Sequence, residues 1–138
     1  MGTIDVFNDI RSRFDIFDDS MDKYAYLIEL GKKTSGISQD ERNDSNKIHG
    51  CASDSWLIIN RDSDGTYQVK TDSEAFIVRG LLSILKEVAN GKTNDELQKL
   101  ISVSFLDEVG LSETISSQRT NGFMNAIDLV KSRIDRDR

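Results

Sequence analysis

The chain has 138 residues, with 24 acidic and 18 basic side chains and a formal net charge of −6. This length predicts one domain, residues 1–138, which buries about two-thirds of its unfolded surface. Because the charge is negative and the basic residues are dispersed, nucleic acid is disfavoured as a partner.

The single cysteine and the hydropathy pattern restrict the class of protein further. One cysteine cannot form an intramolecular disulfide or a cysteine-rich zinc site, and it favours a reducing compartment, for which we expect the cytoplasm. The first residues contain no basic segment followed by an apolar stretch, so no signal peptide is expected. No apolar run approaches 18 residues, so no membrane span is expected either.

Two amphipathic helices are predicted in the first 36 residues. The first covers residues 3–17, and its apolar positions recur every three to four residues: Ile4, Phe7, Ile10, Phe14 and Phe17. Asp19 or Ser20 caps the second helix, which Gly36 ends. Its apolar stripe consists of Met21, Tyr24, Leu27, Ile28 and Gly31. The polar stretch 35–47 predicts a short helical turn and an exposed loop.

A β-hairpin is predicted after the cysteine. The run 56–59 is too short and too branched for a helix and predicts a buried strand. Residues 66–71 alternate with period two, and 62–65 supply an Asp-Gly turn between the strands. Ile48 is expected to extend a third short strand.

The hairpin turn also matches the opening of a calcium-binding EF-hand loop. The matching residues are Asn60, Asp62, Asp64 and Gly65. The twelfth loop position, where a bidentate Glu is needed, is Thr71, and both flanks have strand period. We therefore favour an ordinary hairpin turn over a calcium site.

The second half of the chain is predicted to be helical. A capping box at Thr71 and Glu74 opens the strongest helix, which Asn90-Gly91 ends. A second capping box, Thr93 with Glu96, opens a short helix, and one or two further turns follow at 104–110. Ser116 caps the last helix, whose tail 135–138 is expected to fray. The fold class is therefore α+β, with a small antiparallel three-stranded sheet packed against several helices.

Cys51 lies in a loop of small residues just before the first strand. Gly50 allows the backbone a positive φ, and Ala52 adds little bulk. Unpaired cysteines are often buried and purely structural. This one, however, is bracketed by polar side chains: Lys47, His49, Ser53 and Asp54. We interpret Cys51 as reactive and partly shielded.

With these residues in view, the sequence resembles the SufE family of sulfur acceptors, which includes the CsdE branch. The resemblance covers roughly residues 20–134 and depends on the order and spacing of several segments. These are KYAYLIELG (23–31), NKIHGCASDSWL (46–57), DSEAFIVRGLL (72–82), NGKT (90–93), FLDEVGL (105–111) and SQRTNG (117–122).

The resemblance implies a SufE/IscU-like fold and a function for Cys51. In this family the cysteine accepts persulfide sulfur from a pyridoxal-phosphate-dependent cysteine desulfurase, SufS-like or CsdA-like, and stimulates that enzyme. Delivery to an iron–sulfur scaffold complex would follow. The pyridoxal phosphate belongs to the partner, so this chain is expected to need no cofactor or metal of its own. A monomer or weak homodimer is expected.

The resemblance also implies that Asp72, Glu74 and Arg119 form the site or contact the partner rather than act in catalysis. His49 and Gly50, beside the cysteine, are further candidates for shielding the loop or contacting the partner. At position 49 the family pattern has Pro or Gln, so His49 is a departure. Its imidazole could lower the thiol pKa, but we favour a solvated side chain. Arg119 could equally belong to a structural surface ion pair.

Three alternatives to this function remain open at the sequence level. A CsdE-type acceptor could feed another sulfur-transfer pathway. A cysteine hydrolase could use Cys51 with His49, although the sequence offers no orienting acid or evident oxyanion motif. A non-catalytic adaptor would carry Cys51 only as a structural residue.

Overall fold

The computed structural model describes residues 3–138 and confirms the α+β class, with six helices and a three-stranded antiparallel sheet in the described part of the chain. The helices are α1 Thr3–Asp15, α2 Ser20–Lys33, α3 Phe76–Ala89, α4 Asn94–Ile101, α5 Phe105–Glu108 and α6 Ser117–Arg136. The strands are β1 Ser55–Arg61, β2 Thr66–Ser73 and β3 Lys92–Thr93. Two short 3₁₀ turns, Gln39–Glu41 and Asp44–Asn46, precede the thiol-bearing loop.

The predicted β-hairpin is confirmed. β1 pairs with β2 from Ser55 opposite Ser73 to Arg61 opposite Tyr67. At the turn, Gly65 has a φ of +85°, and the Asp64 carboxylate accepts the backbone N–H of the residue two positions later at 3.0 Å. This carboxylate therefore closes an ordinary hairpin turn.

The prediction of a third strand at Ile48 is wrong. Instead, an isolated antiparallel bridge joins Lys47 to Trp56, and the Ile48 N–H donates to the Ser55 carbonyl at 2.8 Å. The third strand is β3, which pairs with the start of β2. Gly91, with a φ of +77°, reverses the chain after α3 and donates its N–H to the Tyr67 carbonyl at 2.8 Å. This reversal brings β3 alongside β2.

The predicted start of the strongest helix is also wrong. β2 continues through Ser73, and Thr71, Asp72 and Ser73 are buried against β1. Helix α3 begins only at Phe76, after Ala75, whose side chain has no acceptor to cap it. Strand pairing and burial therefore outweigh the local capping signal of the Thr71 segment.

Helices α1 and α2 pack through much of their predicted apolar stripes, but Met21 is exposed, against the prediction, and the helix ends differ. Phe7, Ile10 and Phe14 are buried, whereas the Ile4 side chain lies outside the part that the structure describes. The Asp19 carboxylate accepts the N–H of Met21 at 2.8 Å and caps α2. Helix α2 ends at Lys33 rather than at Gly36.

Helix α3 lies at the centre of the core and packs closely on α2. A Cβ on Gly31 would overlap the Phe76 carbonyl oxygen, and one on Gly80 would overlap the Leu27 carbonyl oxygen. The two helices approach closely because these glycines lack side chains. The buried side chains of α3 include Ile77, Leu81, Leu82, Ile84, Leu85 and Val88.

The last helix begins at the predicted cap, but its tail is held in place. Ser116 accepts the N–H of Arg119 at 3.2 Å. The Tyr67 hydroxyl donates to Asp137 at 2.8 Å, and Gln98 donates to Asp135 at 2.8 Å. The prediction that the tail frays is therefore wrong. Within residues 3–138, no helix is both long enough and apolar enough to cross a membrane.

Candidate functional site around Cys51

Cys51 lies in a short loop, residues 48–54, which we call the thiol loop. At its base the Lys47 ammonium lies 3.1 Å from the Asp54 carboxylate. The Asp54 carbonyl accepts the backbone N–H of Glu74 at 3.0 Å. These contacts fix both ends of the thiol loop on the β-hairpin.

The other side of the thiol loop lies against α6. The Asn125 side-chain amide donates to the His49 carbonyl at 2.8 Å. Gly50 has a φ of +85°, in the left-handed region that favours glycine. A Cβ on Gly50 would overlap the Asn125 side-chain amide. A Cβ on Gly122 would lie 2.8 Å from the Cys51 Sγ. Helix α6 thus covers the cysteine because it has a glycine at the point of contact.

The half-buried thiol borders a cavity of about 80 Å³. Residues from α3 and α6 line it, including Val78, Leu81, Leu82, Arg119, Gly122 and Phe123. About 10–15 Å³ is enough for one water molecule, so the cavity has room for an additional sulfur atom, which is slightly larger. The lining is mostly apolar, but it also includes the Arg119 side chain, which carries a positive charge.

The environment of Cys51 favours the neutral thiol. Burial raises the pKa of Cys51 above its ordinary value, and a hydrogen bond with the Ser55 hydroxyl lowers it by a smaller amount. The His49 side chain is exposed. An isolated molecule therefore holds its nucleophile mostly protonated at neutral pH.

Asp72, one of the predicted site residues, lies beneath the surface. Its buried carboxylate accepts the Ile37 N–H at 3.0 Å and the Arg42 guanidinium at 2.7 Å, and the Arg79 Nε lies 3.3 Å away. Burial acts to raise the pKa of Asp72, but the Ile37 and Arg42 hydrogen bonds outweigh it and lower that pKa. Asp72 thus ties the segment before the thiol loop to β2 and α3.

Glu74 and Arg119 lie closer to the surface. The Glu74 side chain is exposed, beside the backbone hydrogen bond that closes the thiol loop. Arg119 borders the cavity, and its guanidinium lies 5.8 Å from the centre of the Tyr24 ring. Their roles in partner contact stay predictions.

Four residues of the site were not found by sequence reasoning. Arg42 binds Asp72 and lies 4.9 Å from the Trp56 ring centre. The Ser55 hydroxyl acts to lower the pKa of Cys51, and Gly122 and Asn125 lie where α6 contacts the thiol loop. Gly122 falls inside a segment that carries the family resemblance, but its contact with Cys51 does not follow from spacing. Nothing in the sequence links Asn125 to a carbonyl 76 positions earlier.

The part of the chain that the structure describes contains no group of three or more His, Cys, Asp or Glu side chains placed to hold a metal ion. The groups that the structure places at the cavity include the Cys51 thiol, the Arg119 side chain and apolar side chains of α3 and α6.

Comparison with known proteins gives a consistent result. Residues 8–134 match the family model described as SufE, Fe-S metabolism associated domain. An uncharacterized SufE-like protein of Rhizobium etli is 36% identical over 86% of this chain and 82% of its own length. Another, from Rhizobium meliloti, is 36% identical over 86% of this chain and 87% of its own.

A solved structure supports the fold alone. The solution structure of a hypothetical protein from Thermus thermophilus superposes with a TM-score of 0.73. It covers 95% of this chain and 94% of its own length, at 15% identity.

Proposed function

The chain belongs to the SufE family, and on that premise we propose that Cys51 accepts sulfur from a cysteine desulfurase and passes it on for iron–sulfur cluster assembly. The observation that carries this proposal is the placement of the only cysteine. It lies half-buried on a loop beside a cavity with room for one more sulfur atom. By accepting the sulfur, the protein frees the desulfurase for another turnover and so stimulates it.

The reaction is a thiol exchange that needs no external oxidant or reductant. The Cys51 thiolate attacks the outer sulfur of the persulfide on the desulfurase. A new S–S bond forms to Cys51 while the bond to the inner sulfur breaks, and the desulfurase cysteine leaves as a thiolate. Because this chain has no second cysteine, the new persulfide cannot collapse into an internal disulfide.

The shielding of Cys51 implies that the partner must change the site. Burial holds the thiol neutral, which slows both nucleophilic attack and oxidation. The base of the thiol loop is tied to the hairpin, whereas its α6 side is held by the Asn125 hydrogen bond and by packing against Gly122. We propose that docking breaks the α6 contacts and turns Cys51 outward about the fixed base.

The proposal assigns the remaining participants to other molecules. The pyridoxal phosphate belongs to the desulfurase, of SufS or CsdA type, and the recipient is a scaffold complex or another sulfur-transfer pathway. The exposed side chains bordering the thiol loop, His49 and Glu74, together with Arg119, are the proposed partner contacts. The reaction is proposed to occur in the cytoplasm, where a single thiol remains reduced.

The hydrolase alternative receives little support from the geometry. A cysteine hydrolase needs its imidazole to activate the thiol. Here the effects that shift the pKa of Cys51 are burial and Ser55, and the His49 side chain is exposed. The adaptor alternative makes a different prediction for the assay below.

A desulfurase assay tests the proposal. Sulfide or alanine production from cysteine is measured with the desulfurase alone, with this protein added, and with its Cys51→Ser variant added. We expect stimulation by the native chain and none by the variant. Equal turnover in all three would support an adaptor with a structural cysteine and contradict the proposal. A comparison of SufS-type and CsdA-type enzymes identifies the branch.

A further inference from the structure

We propose that the desulfurase docks on an apolar row of side chains along α2 and the start of α3, beside the Cys51 cavity. The row consists of Tyr24, Ile28 and Phe76, with a basic side chain at each end, and we call it the docking row. This inference rests on the proposed function of Cys51 and names the surface that its partner covers. The matching surface of the desulfurase is apolar, with carboxylates facing the two basic side chains.

Phe76 is an exposed ring that its neighbours hold in place. Among the exposed large apolar side chains that the structure describes, it is the only aromatic one, and 45% of its surface is accessible. Its carbonyl packs against Gly31, where a Cβ would overlap it. The Lys32 ammonium lies 5.9 Å and the Arg79 guanidinium 5.8 Å from the ring centre. A fixed, exposed aromatic ring is typical of a residue that contributes strongly to a protein interface.

The docking row continues from Phe76 along α2. Tyr24, Ile28 and Lys32 are four positions apart and therefore follow one another on the same face of the helix. The Lys32 ammonium lies over the Phe76 ring, so this face of α2 meets the start of α3. The Tyr24 and Ile28 side chains pack on the core and remain partly exposed. The result is an apolar strip across the two helices.

Both ends of the docking row meet the thiol site. At the Tyr24 end, the Arg119 guanidinium lies 5.8 Å from the ring centre and also borders the Cys51 cavity. At the Phe76 end, the Glu74 N–H donates to the base of the thiol loop at 3.0 Å. A stable interface takes roughly 20–30 residues from each partner. Contact with the desulfurase therefore extends beyond the thiol loop, and the docking row adjoins it.

The charges at the ends of the docking row specify the chemistry of the partner. The chain has a net charge of −6, yet each end carries a cation, Arg119 or Lys32. The Lys32 ammonium also lies 3.6 Å from the Glu29 carboxylate, but both side chains are exposed and such a pair contributes little. Both cations can therefore face carboxylates of the desulfurase, which orient it on the row.

The experiment measures the affinity of the full chain for a SufS-type and a CsdA-type desulfurase by surface plasmon resonance, at low and high salt. Phe76→Ala removes the ring, and Lys32→Glu reverses a charge at one end. Ile16→Ala and Lys33→Glu are the matched controls, because Ile16 is exposed outside the row and Lys33 borders a separate groove of α2. Circular dichroism and the alkylation rate of Cys51 in the free chain verify the fold and the thiol loop.

We expect Phe76→Ala to weaken binding about thirtyfold, because the ring fills the centre of the contact. Lys32→Glu should weaken binding about tenfold at low salt and less at high salt, because salt screens the opposed charges. Both controls should bind like the native chain.

Native affinity in both Phe76→Ala and Lys32→Glu, or an equal loss in the controls, would overturn the inference and leave the proposed function intact. A native chain that binds neither desulfurase would reject the proposed function, and this inference with it. Analytical ultracentrifugation of the native chain tests the other occupant. A homodimer that Phe76→Ala dissociates would assign the docking row to a second copy of this chain and overturn the inference.

Discussion

The substitution Asn125→Asp tests the proposed mobility of the thiol loop. It keeps the shape of the side chain but replaces the donor to the His49 carbonyl, now 2.8 Å away, with an acceptor. A net hydrogen bond of this kind contributes about 1 kcal/mol. Its loss would therefore raise the population of the open loop about fivefold, and repulsion between the two oxygens would add to this.

The assay is the alkylation rate of Cys51 at fixed pH, with the free energy of unfolding measured in parallel. We expect alkylation to become about five to ten times faster while global stability changes little. Asn121→Asp is the matched control, because it adds the same charge to an exposed position one turn earlier on α6. Alkylation of Asn125→Asp at the native rate, or equal acceleration by Asn121→Asp, would refute the reasoning.

Two further predictions concern the support of the site. Asp72→Asn should lower the free energy of unfolding by about 2–4 kcal/mol at neutral pH, because Arg42 and Arg79 lose their carboxylate. Since the pKa of Asp72 is lowered in the fold, this stabilisation should be lost as pH falls from its ordinary pKa through the lower folded-state pKa. Urea titrations of the native chain and the variant at neutral pH and at a pH below the folded-state pKa of Asp72 check this. An equal loss of unfolding free energy at the two pH values would contradict it. Gly122→Ala should displace the thiol loop from α6 and accelerate alkylation of Cys51, because the added Cβ would lie 2.8 Å from its Sγ. An unchanged alkylation rate would count against that contact.

The parts of the fold that depend on neighbouring residues could be predicted from the sequence. The capping box of Thr93 and Glu96 is present, with the Glu96 N–H donating to the Thr93 hydroxyl at 3.3 Å. The cap at Ser116 and the turn at Gly65 also lie where the sequence places them. Each of these signals acts over two or three residues, and at these three positions the helix start or turn that it predicts is present.

Features that depend on distant residues could not be predicted. The segment from Thr71 to Glu74 has the local pattern of a helix start, yet Arg42 and Arg79 approach from two other segments and hold Asp72 buried at the end of β2. The short β3 has no strand pattern of its own and forms because Gly91 returns the chain to β2. The position of Cys51 was predictable, but its cover by α6 was not.

Intact mass spectrometry after incubation with a cysteine desulfurase and cysteine tests the central claim most directly. We expect a species heavier than the native chain by one sulfur atom, which a reductant removes and which is missing in the Cys51→Ser variant. No added sulfur on the native chain, or the same gain on the variant, would contradict it.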